Sequence, residues 1–64
     1  MLYRGFVIRM AQQTRAWQAE ISRPDGTQVV CDNTALPSFR TMLCSSEELA
    51  MAHAKGAIDN GVVG

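Results

Sequence analysis

The chain has 64 residues, enough for one small domain, and at this length only about 60% of the unfolded surface is buried on folding. Apolar residues make up 47% and charged residues 19%, which excludes an intrinsically disordered segment. Six basic and six acidic side chains cancel, which argues against a charged tail or a membrane-surface patch. No apolar run reaches the roughly 18–20 residues that cross a bilayer, and no signal-peptide pattern is present. We therefore expect a cytoplasmic chain without a membrane partner.

The first part of the chain has the period-two pattern of β-strands. Apolar and polar side chains alternate over residues 3–10 and again over residues 15–22. The polar stretch at 12–14 is typical of a turn between them. One face of this hairpin is predicted to face the core, with Trp17 as the largest buried side chain: Phe6, Ile8, Met10, Trp17, Ala19 and Ile21.

A tight turn at Arg23–Thr27 is the clearest local signal. Pro24 presets φ at the first central position, and Gly26 accepts a positive φ without steric cost. We therefore predict an antiparallel hairpin whose second arm is a strand over residues 27–32. Residues 38–42 are a candidate for a short fourth strand at the edge of the sheet.

A helix is predicted over residues 46–60. Ser45 and Glu48 have the spacing of a capping box, and Gly61 is a typical terminator. At 100° per residue, one stripe of the helix is apolar and faces the sheet: Ala50, Met51, Ala54, Ala57 and Ile58. Residues 61–64 are expected to fray.

Together these elements predict an α+β fold. A three-stranded antiparallel meander, or a four-stranded one with residues 38–42, has one C-terminal helix packed on one face. Alternation leaves a second face of the sheet uncovered. The candidate interaction residues lie on or beside that face: Tyr3, Arg4, Val7, Arg9 and Val30.

The chain has few groups that could carry catalysis or hold a metal. His53 is the single histidine, and Cys31 and Cys44 lie thirteen residues apart without the clustered spacing of a zinc site. Neighbouring Glu47 and Glu48 point about 100° apart on a helix, so they do not form a carboxylate pair. We predict no catalytic residue, no metal and no cofactor.

Two functions from different classes remain. The leading hypothesis is a small non-catalytic interaction module that binds a protein partner or itself, because an uncovered apolar face on a small domain marks a partner site. A homodimer would also supply core area that a chain this short lacks. The alternative is nucleic-acid binding through arginine and aromatic side chains of the sheet, with Tyr3, Arg4 and Arg9 as contacts.

The predicted order of strands, turn and helix, with Trp17 in the second strand and Ala50, Ala54 and Ile58 spaced along the helix, resembles small bacterial proteins grouped as domains of unknown function. It is similar, more remotely, to HicB-type antitoxin domains, and it also resembles the last three strands and helix of double-stranded-RNA-binding domains. The chain has Glu47 and Glu48 where the RNA-binding family has lysines. These resemblances imply an α+β unit and transfer no functional residue to this chain.

Overall fold

Short hairpins organise the first two thirds of the chain. The computed structural model describes residues 1–64 and contains one helix and six strands, which are β1 (Leu2–Tyr3), β2 (Phe6–Gln13), β3 (Ala16–Ser22), β4 (Val29–Cys31), β5 (Thr34–Leu36), β6 (Phe39–Arg40) and α1 (Glu47–Asp59). Strands β1, β2, β3 and β6 form one antiparallel sheet in that order, and β4 and β5 form a separate ribbon. The α+β prediction, with one C-terminal helix, is confirmed.

The predicted first strand is interrupted by a reverse turn. Arg4 and Gly5 both have positive φ, 49° and 84°, which is the conformation of a two-residue hairpin turn. Tyr3 consequently pairs with Phe6, and the bounds 3–10 are wrong. Strand β2 then runs through the polar stretch at 12–13, because each of these residues still has a partner on β3.

The Arg23–Thr27 turn forms, but it does not join two paired strands. The amide of Gly26, at φ 82°, donates to the Arg23 carbonyl over 3.2 Å, as expected for a tight turn. The predicted hairpin is wrong because β4 pairs with β5 across a two-residue turn at Asp32 and Asn33, with φ of 51° and 60°. So short a loop costs little entropy to close, and it takes β4 away from β3.

The place beside β3 is filled by the predicted fourth strand. Strand β6 pairs with Glu20 and Ile21 on β3. The pairing continues past β6, where Trp17 and Cys44 exchange backbone hydrogen bonds of 2.8 and 2.7 Å.

Helix α1 begins at Glu47, one residue later than predicted. Ser46, not Ser45, is the N-cap, and its hydroxyl accepts from the Leu49 amide over 3.2 Å. The predicted capping box between Ser45 and Glu48 is therefore wrong, because the third helical position is Leu49. With 13 residues, the helix is neither long nor apolar enough to cross a membrane.

The core lies between α1 and the inner face of the sheet. Ala50 and Ala54 are fully buried on the helix, as predicted, and pack with buried Ile8, Ala19 and Ile21 of the sheet. The prediction for Trp17 is wrong: it is half-buried, and the largest fully buried side chains are Ile8, Ile21 and Val29. Trp17 pairs with exposed Gln12 next to the turn that closes the β2–β3 hairpin, where less of the chain covers it.

The C-terminal residues are held in place, so the predicted fraying of 61–64 is wrong. Val63 is only 2% exposed and forms a bridge with Cys31. Val30 and Gly64 exchange backbone hydrogen bonds of 2.7 and 2.8 Å. A buried apolar side chain and paired backbone groups order a terminus that would otherwise move freely.

Candidate interaction surfaces

The residues of the predicted interaction face do not lie on one surface, and Tyr3 is the first exception. This side chain lies on the helix side of the sheet, next to Phe6, because the turn at Arg4 and Gly5 reverses the chain. The prediction that Tyr3 and Phe6 lie on different faces of the sheet is therefore wrong. The Tyr3 hydroxyl donates to the Asp59 carboxylate at 2.8 and 3.0 Å, near the end of α1.

Two cations join this contact between the first hairpin and the helix. Arg4 lies 3.0 Å from Asp59, and its guanidinium lies 5.8 Å from the centre of the Tyr3 ring. The Lys55 ammonium lies 5.3 Å from the same ring. Hydrogen bonding with Tyr3, and then the charge of Asp59, hold the pKa of Arg4 above its ordinary value. These groups satisfy one another and fasten β1 to the helix.

The other predicted residues lie on two different surfaces. Val7 and Arg9 are on β2 and face away from the helix, on the open face of the four-stranded sheet. Val30 lies on β4, in the separate ribbon, and is 45% exposed. Leu2 pairs directly with Val7. The apolar patch expected on the uncovered face is therefore reduced to these two side chains.

The open face of the sheet is polar. The Glu20 carboxylate is 3.4 Å from the Arg40 guanidinium and accepts from the Ser38 hydroxyl at 3.3 Å. The Gln18 amide donates to the Thr41 carbonyl at 2.8 Å. Tyr3 and Trp17 both lie on the helix side, so no aromatic side chain is available on this face for stacking. The arrangement of aromatics and arginines expected for nucleic-acid binding is not assembled there.

A cleft of about 460 Å³ lies between α1 and the segment around the end of β6. One wall is the segment that follows the sheet's last strand, and the other is the helix. The lining residues share the absence of any Asp, Glu, Lys or Arg: Phe39, Thr41, Met42, Ala52, His53, Gly56, Ala57, Asn60 and Val62. It is therefore a mainly apolar hollow whose polar side chains are Thr41, His53 and Asn60.

Exposed apolar side chains gather around this hollow. Met42 and Val62 line it and are 67% and 49% exposed. Leu43, the next residue after Met42, is 54% exposed. Leu49 is 47% exposed and lies on the same helical stripe as His53 and Gly56, one and two turns before them. We refer to the cleft together with Met42, Leu43, Leu49 and Val62 as the cleft surface.

Gly56 lies inside α1, at the start of its last turn, and glycine within a helix costs about 1 kcal/mol relative to alanine. A Cβ added there would meet a single neighbour, the Asn60 side-chain nitrogen at 3.9 Å. Packing within the chain does not require glycine at this position. Because Gly56 lines the cleft and has no side chain, the cleft is deeper at this position.

The cleft contains few polar side chains. His53 lines it, and the other polar side chains there are Thr41 and Asn60, so no carboxylate or thiol lies beside the imidazole. No three His, Cys, Asp or Glu side chains are close enough to hold one metal ion. Cys31 is half-buried and Cys44 is buried, and both are free thiols.

The residues around the cleft were not identified from the sequence. The single available signal is the spacing of Leu49 and Gly56, seven residues apart on one helical stripe with an apolar and a small side chain. Met42 and Leu43 carry no such signal, because their position depends on where the chain runs after β6.

No protein-family model, curated protein or solved structure matches this chain. The resemblance to HicB-type antitoxin domains therefore stays a prediction, and the function is inferred from the residues and their geometry.

Proposed function

We propose that this chain is a small non-catalytic interaction module that self-associates, and that two copies meet through the cleft surface. One observation carries this proposal: protruding apolar side chains and an uncharged hollow lie side by side on the same surface. Contiguous exposed apolar surface on a small domain is characteristic of a contact site.

The cleft surface offers both features that a twofold dimer needs. In such a dimer the same patch of both copies meets, so each patch must offer both a protrusion and a hollow. Met42 and Leu49 protrude, since about half or more of each side chain is exposed. Ala52 and Gly56 have small side chains and form part of the hollow. A protrusion of one copy can then enter the hollow of the other.

Charge also favours a second copy as the occupant. The residues that line the cleft include no Asp, Glu, Lys or Arg, so two copies can meet there without bringing like charges of these side chains together. The lining also offers no ionic group that would select a charged partner.

The expected affinity is modest because the chain is small. A standard interface covers about 800 Å² of each partner, which is roughly a fifth of the 4213 Å² surface of this chain. We expect dimers to become populated near 100 µM, which corresponds to roughly −5.5 kcal/mol.

Sedimentation equilibrium over about 10 to 300 µM tests the proposal, because this range brackets the expected dissociation constant. The average mass should rise above 7.0 kDa as the concentration increases. Leu49→Gln should lower it at each concentration. Val30→Gln is the matched control, because Val30 is equally exposed but lies on the ribbon, and it should leave the mass unchanged.

A single 7.0 kDa species at every concentration would overturn self-association. Equal effects of Leu49→Gln and Val30→Gln would show that the cleft surface is not the contact. Circular dichroism of both variants establishes that a change in mass reflects association and not unfolding.

A further inference from the structure

The outer edge of β2 is open over its second half. Strand β1 pairs with Phe6 and Val7, and Met1 exchanges backbone hydrogen bonds of 2.7 and 2.8 Å with Ile8. Beyond Ile8, β2 continues to Gln13 with no strand on that side.

Two residues in this open segment present unpaired backbone groups. Backbone groups along a strand point alternately to either side, and those of Ile8 point outward to Met1. Those of Met10 and Gln12 therefore also point outward, where no strand or loop meets them. The residues between and after them point inward and pair with β3.

The open edge lacks the usual protection against pairing. Natural proteins cover such edges or place lysine, proline or a bulge on them. Residues 9–13 contain no lysine and no proline, their pairing with β3 is regular, and Arg9 is the one charged side chain.

We propose that this edge pairs with the same edge of a second copy, antiparallel about a twofold axis at Ala11. Met10 of each copy then exchanges backbone hydrogen bonds with Gln12 of the other, and the two sheets become one. This contact goes beyond the proposed function, because it uses a surface separate from the cleft.

The length of the open edge fits a second copy of the same strand. A pairing centred on Ala11 uses residues 9–13 of both copies, which is the whole stretch between Ile8 and the turn. At Thr14, with φ 56°, the chain turns toward β3 and away from the place that Met1 occupies on the other copy.

Charge and packing are compatible with this register. Arg9 lies opposite Gln13 of the second copy, so no like charges face each other. Helix α1 packs mainly over β3, which keeps it back from the open edge.

Two twofold contacts on different surfaces of one chain have a consequence for assembly. Each contact alone gives a dimer, and both together give larger species. The Leu49→Gln variant, with its cleft surface impaired, is therefore the background in which edge pairing is measured.

In that background, Ala11→Glu or Ala11→Lys should each abolish the dimer, because like charges would face each other about 5 Å apart across the axis. Ala11 is exposed, so neither change disturbs the core. An equimolar mixture of the two variants should restore the dimer, since Glu then faces Lys. Gln13→Glu is the matched control: it adds the same charge two residues away, faces Arg9 of the second copy, and should raise the dimer fraction.

Sedimentation equilibrium gives the mass of each sample, with circular dichroism to verify folding. Failure of the mixture to recover the dimer, or a loss of dimer with Gln13→Glu, would overturn edge pairing. The cleft proposal is judged separately, by whether Leu49→Gln lowers the mass of the Ala11→Glu variant.

Discussion

Gly56→Ala is expected to stabilise the monomer and weaken association at the same time. The glycine lies within α1, and its added methyl group would meet only the Asn60 side chain at 3.9 Å. No clash opposes the gain in helix propensity, which is about 0.5–1 kcal/mol. For a domain of this size the melting temperature should rise by about 3 to 8 °C. The same methyl group makes the cleft shallower.

Both effects are measurable on one protein. Thermal unfolding followed by circular dichroism at about 5 µM reports the monomer, because association that becomes populated near 100 µM contributes little there. Sedimentation equilibrium at about 300 µM reports association, which should fall relative to the unchanged chain. Opposite signs in the two assays separate loss of the contact from loss of the fold.

Gly61→Ala is the contrasting substitution. Gly61 follows the same helix at φ 72°, where a Cβ is strained, so this change should lower the melting temperature. A fall in melting temperature for Gly56→Ala would refute the helical environment assigned to Gly56. A rise in melting temperature with unchanged association would refute the role of the cleft.

Four other results are expected. Thr41→Val should cost about 1–3 kcal/mol in urea unfolding, because the buried Thr41 hydroxyl accepts from the Ala19 amide at 3.0 Å and valine cannot. Ile21→Ala should cost about 2–5 kcal/mol and exceed Trp17→Ala, since Ile21 is fully buried and Trp17 is half-buried. The Thr27 hydroxyl and amide donate hydrogen bonds to the Asp25 carboxylate and lower its pKa. The stability that Asp25 contributes is therefore present above its unfolded pKa, and it is lost as pH falls through the lower pKa of the folded state. Fluorescence anisotropy with RNA and DNA at low salt should show no salt-dependent binding, because the open face has no aromatic side chain.

Each of these expectations has a contradicting result. An unchanged urea midpoint for Thr41→Val would mean that water replaces the lost acceptor. A larger cost for Trp17→Ala than for Ile21→Ala would place the indole in the core. Asp25→Asn should make the stability depend less on pH in the acid range. An unchanged pH dependence would show that the Asp25 carboxylate does not contribute to it. Salt-dependent anisotropy lost on Arg9→Ala would support nucleic-acid binding instead.

Local signals in the sequence determined the type of most elements. Alternating side chains predicted that residues 15–22 form a strand with Ala19 and Ile21 facing the core, and β3 does so. Pro24 and Gly26 predicted a turn whose conformation depends on φ of two or three residues, so neighbouring residues suffice to specify it. The apolar stripe of the helix was likewise predicted, since helical spacing is a local property.

Pairing between distant segments was decided by the tertiary structure. Which strand lies beside β3 depends on competition between β4 and β6, and the short turn at Asp32 and Asn33 settles it by giving β4 a nearer partner. That choice fixes where the chain runs after β6, and therefore where Met42 lines the cleft beside the helix. Periodicity reports which face of an element is apolar, but the partner of that face depends on contacts between residues far apart in the chain.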